Sequence, residues 1–230
     1  MLFGRSHLIA MVLTLAVSGL LVALTRRQRG ADAPIRYGLA TVLIADWVWW
    51  YWIAWQHGWL TVGDALPINL CDWATVATII ALLAPRQRAY ELAYFWALCG
   101  TVQGMITPDT PYDFPEVRFL NFFIYHGGII ASVLYLTFGT GMRPVPRSIP
   151  RVIAWSFGYL AAAAIVDVAL GTNYGFLRAK APGQTLFGFM PEWPWYIPVL
   201  VALGVASAML YYLPWFIADR IRKTPHEVGS

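Results

Sequence analysis

Seven apolar stretches without a lysine or arginine follow one another along the chain: Leu8–Leu24, Gly38–Gln56, Pro67–Ala84, Ala89–Ile106, Phe119–Phe138, Val152–Leu170 and Trp195–Phe216. Each holds 17 to 22 residues, enough to cross a ~30 Å hydrocarbon core as a helix rising ~1.5 Å per residue. The connections are short and leave no room for a second folded unit. The pattern predicts an all-α polytopic membrane protein, a single domain of seven transmembrane helices over residues 1–230 with a polar tail at 217–230. The first stretch reads as a helix rather than a secretion signal, because it is long, lacks a small-residue cleavage pattern and runs into "RRQR" as a stop-transfer flank. Tryptophan, tyrosine and proline gather near the stretch ends, as in "WVWWYWIAWQHGW" and "MPEWPWYIP", where amphipathic rings favour the headgroup zone.

Composition agrees with this pattern. Of the 230 residues 59% are hydrophobic and only 12% charged, half the charged fraction usual in soluble domains. The charge also sets an orientation. Twelve of the sixteen basic residues fall in loops on one side (Arg26, Arg27, Arg29, Arg36, Arg86, Arg88, Arg143, Arg147, Arg151, Arg220, Arg222, Lys223), against Arg5, Arg118, Arg178 and Lys180 on the other. The positive-inside rule then predicts an extracytoplasmic amino terminus and a cytoplasmic carboxyl terminus. Topology accounts for the formal charge of +4, and no basic stripe with interleaved aromatics points to nucleic acid.

Once topology is assigned, each polar residue has a depth. Cys71 and His126 fall ~6 and ~10 Å inside the outer ends of the third and fifth stretches. Cys99, Gln103, Asn121, Tyr125, Asp167 and Asn173 fall in the same outer half, while the inner halves are almost bare of such groups. Polar groups in a bilayer are costly unless they face a bundle interior or a wet cavity, so the cluster predicts a pocket opening to the extracytoplasmic leaflet. Each residue alone is equally explained by a helix–helix hydrogen bond.

The segment "LPINLCDWATV" puts Pro67 near a helix start and Cys71 in its second turn, where the positive end of the helix dipole favours a thiolate. A facing histidine at similar depth would take the thiol proton and return it to a leaving group, the minimal arrangement for nucleophilic acyl transfer. Three plainer readings stay open: Cys71 as a small core residue, a Cys71–Cys99 disulfide, or His126 bonded to a backbone carbonyl. The four histidines are scattered, without metal-ligand spacing, and the chemistry requires no cofactor. Asp72 is expected to favour the helix amino terminus rather than partner the thiol. Asp46, flanked by tryptophans near mid-membrane, reads as a carboxyl bonded between helices, and "TPDTPYDFPEVR" as a rigid lid beside the outer mouth.

In order and spacing, "LPINLCD", "TPDTPYDFPEVRFLNFFIYHG" and "TNYGFLRAKAPGQTLFGFMPEWPWYIP" resemble the YwaF-type family of bacterial seven-helix membrane proteins. That family is similar to a vertebrate transmembrane acyltransferase that remodels ether phospholipids through a Cys and a His. It is more remotely similar to androgen-induced membrane hydrolases that use a Thr and a His on fatty acid esters of hydroxy fatty acids. The resemblance implies a bacterial cytoplasmic membrane location, with Cys71 and His126 as the catalytic pair. Many relatives carry His where this chain has Asn69. The expectation is a lipid acyltransferase or acyl-ester hydrolase acting on phospholipid, lysophospholipid or fatty acid ester. Asn121, Gln103 and Asn173 are its candidate oxyanion donors, Asn173 with Tyr174 foremost; Asn69 and Tyr125 are supporting residues, and Asp167 is expected to orient the imidazole. The alternative is a transporter or small-ligand binding protein with an outward polar cavity. It is disfavoured because only Asp46 sits at mid-depth and no inverted repeat is visible.

Overall fold

A computed structural model describes residues 2–181 and 186–223. All regular structure among them is helical: α1 Arg5–Arg27, α2 Asp32–Gln56, α3 Leu70–Leu83, α4 Gln87–Trp96, α5 Val102–Ile106, α6 Val117–Phe138, α7 Ser148–Leu170 and α8 Tyr196–Lys223. A π-helical turn, Ala97–Thr101, joins α4 to α5 so that residues 87–106 run as one helix. Every apolar stretch in the sequence thus falls on a helix, although α3 starts three residues later than Pro67. Asn69 is its N-cap, and the Asp72 carboxylate accepts from the Asn69 amide at 2.9 Å, forming a capping box that fixes the start. At the other end of the chain, α8 continues to Lys223, so residues 217–223 of the expected tail are helical; residues 224–230 lie outside those described.

Five segments are long and apolar enough to cross a membrane: Arg5–Arg27, Val62–Leu83, Val117–Phe138, Ser148–Leu170 and Tyr196–Ile221. Their outward faces carry uncovered apolar side chains, such as Val12 on α1 at 64% exposure and Val168 on α7 at 83%. A belt of this kind requires lipid around it, so the protein is integral to a membrane.

Helix α6 is the hub, touching α1, α2, α3 and the α4–α5 helix. Two adjacent glycines permit this. A Cβ at Gly127 would lie 2.7 Å from Thr14 Oγ1 on α1, and one at Gly128 would lie 2.9 Å from Leu43 Cδ2 on α2. The carboxyl-terminal half of α6 is sealed, with Ile129 to Val133 and Tyr135 to Thr137 all buried. Its amino-terminal half is different: Asn121, Phe122, Tyr125 and His126 are only half-buried.

Basic residues cluster at one end of the bundle and are bonded there. Arg26 donates to the Phe138 carbonyl at 3.2 Å and Arg36 to the Leu82 carbonyl at 2.6 Å, placing positive charge on the carboxyl ends of α6 and α3. Arg151 pairs with the buried Glu91 at 3.0 Å, and Arg143 pairs with Asp219. At the opposite end Arg118 stacks its guanidinium over Trp59, 3.6 Å from the ring centroid, and over Tyr112.

Candidate functional site

Cys71 is the second helical residue of α3, one turn nearer the helix start than its place in the sequence suggested. It is half-buried, and it is a free thiol, as is Cys99; the disulfide alternative is not realised. Its Sγ accepts from Thr101 Oγ1 at 3.9 Å, across on the π turn that leads into α5.

His126 approaches the same helix from α6. Its Nδ1 lies 2.8 Å from the Phe122 carbonyl oxygen. A carbonyl only accepts, so Nδ1 carries the proton in the neutral ring and Nε2 keeps a free lone pair. The ring is held by Phe122, stacked with centroids 4.1 Å apart, and by Tyr125 edge-on at 5.3 Å. Nε2 and Cδ2 face Gly104, where a Cβ would meet them at 3.6 and 3.5 Å. Thr101 and Gly104 are three residues apart, about one turn along one face. Cys71 and His126 therefore approach neighbouring positions of one helix.

Their common direction has a cause in the neighbouring residues. Tyr125 donates its hydroxyl to Asp72 Oδ1 at 2.8 Å, pointing α3 and α6 at each other through this pair. Viewed from their amino-terminal ends, both helices turn clockwise as they recede. Cys71 precedes Asp72 and lies ~100° anticlockwise of it, whereas His126 follows Tyr125 and lies ~100° clockwise of it. On facing parallel helices those two rotations bring the side chains to the same side, where α5 runs. The loop after α5 starts from this end of the helix, with Asp109 three residues beyond Ile106. The loop is itself braced, since Asp113 accepts from the Phe114 amide and the Ser6 hydroxyl, which hold its pKa below the ordinary carboxylate value.

The other expected site residues divide in two. Asn69 belongs to the site's frame, capping α3 and accepting from the Gly175 amide at 3.3 Å. Gln103 is half-buried on α5, next to Gly104, and no described hydrogen bond uses its side-chain amide. Asn121 is engaged elsewhere, donating to Asp46 Oδ2 at 3.1 Å in an α6–α2 bond. Asp167, Asn173 and Tyr174 make their hydrogen bonds in the loop after α7 and the segment before α3. Asp167 Oδ1 accepts from Thr172 Oγ1 and from the Tyr174 amide, both at 2.7 Å, so it organises the turn after α7, and the Phe122 carbonyl orients the imidazole instead. The Asn173 side chain accepts from the Arg178 and Ala179 amides and donates to the Ala179 carbonyl, so it ties together the loop after α7. Tyr174 donates to the Val62 carbonyl and accepts from the Leu66 amide, pinning the segment before α3.

Two residues of the frame went unread in the sequence. His7, 2% exposed, accepts from the Phe3 amide and donates through Nε2 to the Met105 carbonyl at 2.8 Å, tying the outer end of α1 to the end of α5. Tyr159 of α7 stands edge-on to Trp73 with ring centroids 5.5 Å apart, beside the first turn of α3.

No curated protein and no solved structure matches the chain. A family model does match, over residues 2–212, that of the TMEM164 family. Since the match spans nearly the whole helical array, including Cys71, His126 and the residues that frame them, the chain belongs to the TMEM164 family.

Proposed function

We propose that this protein is a membrane-lipid acyltransferase or acyl-ester hydrolase, with Cys71 as nucleophile and His126 as general base. The observation that carries the proposal is the Tyr125–Asp72 bond, which turns the thiol and a histidine with a free Nε2 toward the same face of α5. The chain crosses a bacterial cytoplasmic membrane seven times, with α2 and the α4–α5 helix completing the five apolar crossings. The positively charged end lies in the cytoplasm, and the pair lies in the outer half of the bilayer. Ester carbonyls of phospholipids sit just beneath the headgroups, at the depth of this pair.

Nε2 takes the Cys71 proton as Sγ bonds to the acyl carbonyl carbon, whose π electrons move onto oxygen. Collapse of this intermediate breaks the ester C–O bond. The departing alkoxide takes the proton back from His126, leaving a lysolipid and an acyl thioester on Cys71. A second alcohol, or water, deprotonated by Nε2, then attacks the thioester and regenerates the thiol. A lysophospholipid acceptor makes the protein a transferase and water makes it a hydrolase.

Vesicles containing purified protein, a phospholipid with a labelled acyl chain and an unlabelled lysophospholipid distinguish the two. Label moves to the lysophospholipid or appears as free fatty acid, and Cys71→Ala does neither. A wild-type protein that produces neither product contradicts the proposal.

A further inference from the structure

Acyl transfer through Cys71 needs hydrogen-bond donors where the carbonyl oxygen becomes negative, and of the three side-chain amides expected to supply them two, at Asn121 and Asn173, already donate elsewhere. A different pair of donors lies beside the thiol. The first described backbone bonds of α3 start with Asp72 and Trp73, both donating to the Asn69 carbonyl. This leaves the Cys71 N–H among the unpaired donors of a helix start. It belongs to the nucleophile itself, so it points to the side from which an attacked carbonyl oxygen is reached.

The second donor is the Tyr159 hydroxyl. Tyr159 is 4% exposed, and among the described residues its buried O–H finds no acceptor. Three contacts place it at the start of α3. A Cβ at Gly175 would meet the hydroxyl oxygen, and Gly175 donates its amide to Asn69, the N-cap of α3. The ring is packed on Trp73, and the hydroxyl lies beside the amide of Leu70, the residue before Cys71. Gly175 is held at φ 63°, a left-handed conformation suited to glycine, and its missing side chain leaves the space that the hydroxyl occupies.

We propose that the Cys71 N–H and the Tyr159 O–H form the oxyanion hole for an acyl ester attacked by Cys71. Among the described residues the O–H has no acceptor, because the acceptor it serves exists only during the reaction. The proposal rests on Cys71 being the acyl nucleophile, and the test separates the two.

Intact-protein mass spectrometry follows acylation of Cys71 by an acyl phospholipid in the wild type and in Tyr159→Phe, with alkylation by iodoacetamide measured in parallel. Alkylation displaces iodide from carbon and forms no oxyanion. The expected result is acylation slowed about 10²–10³-fold in Tyr159→Phe with alkylation unchanged. Equal acylation rates in the two proteins overturn the hole while leaving the nucleophile intact. A parallel fall in alkylation also overturns it, because the hydroxyl would then only hold the site together. A wild type that never acylates refutes the nucleophile, and with it the hole. If Tyr159→Phe does not fold, 3,5-difluorotyrosine at position 159 keeps the ring and hydroxyl. It is expected to change the acylation rate alone; an unchanged acylation rate overturns the proposal.

Discussion

Replacing His126 with alanine lowers acyl turnover by about 10²–10⁴-fold, the usual contribution of a positioned general base, and leaves the protein folded. The ring is half-buried, and the sealed carboxyl-terminal half of α6 does not depend on it. Cys71→Ala removes turnover entirely, since the Cys71 sulfur is the atom that carries the acyl group. Cys99→Ala is the control: its thiol is equally free, but it has no bond to the Asp72–Tyr125 frame and its loss leaves turnover unchanged. The assay is label transfer in vesicles, with size-exclusion profiles of each variant establishing that the fold is kept. If His126→Ala turns over at the wild-type rate, the imidazole is a packing group, and the transporter or small-ligand binding reading takes the lead.

The second large effect is expected at Asp72, which does no chemistry. Its carboxylate accepts from the Asn69 amide and from the Tyr125 hydroxyl. Asp72→Ala removes the capping box, worth about 1 kcal/mol, and leaves the Tyr125 hydroxyl unsatisfied at a further ~1–3 kcal/mol. The apparent melting temperature in detergent should fall, and turnover with it, because nothing then fixes the rotation of α3 relative to α6. Tyr125→Phe separates the two contributions. It keeps the cap and loses only the link between helices, so turnover drops while the melting temperature changes less than in Asp72→Ala. Equal melting temperatures with unimpaired turnover in both variants would show that the link does not orient the pair.

The helices were readable from the sequence because hydrophobic length alone specifies them: all seven stretches fall on helices, within a few residues at most ends. Where the ends moved, local chemistry moved them. The Asn69–Asp72 box starts α3 beyond Pro67, and α8 keeps its helical bonds past Phe216 into a polar segment that composition alone reads as tail. Nothing in "ALCGT" announces the π turn that places Thr101 opposite Cys71.

The chemistry was legible in part. Cys71, His126 and Asp72 stood out because thiol, imidazole and carboxylate are rare in apolar runs. Asp167, Asn173 and Tyr174 stood out for the same reason but serve the loop after α7, whose backbone amides need acceptors as much as any substrate does. Depth in a bilayer does not distinguish these two demands; only the partners do. Tyr159 was passed over because a tyrosine beside small residues in "GYLAAAA" looks like packing, and its missing partner is visible only in three dimensions.

The most direct test of the central claim is the mass of the intact protein after incubation with mixed phospholipids. An acyl thioester enzyme gives a wild-type adduct equal to one fatty acyl group, labile to hydroxylamine and absent from Cys71→Ala. A protein that stays at its unmodified mass, or carries an adduct that persists in Cys71→Ala, contradicts it.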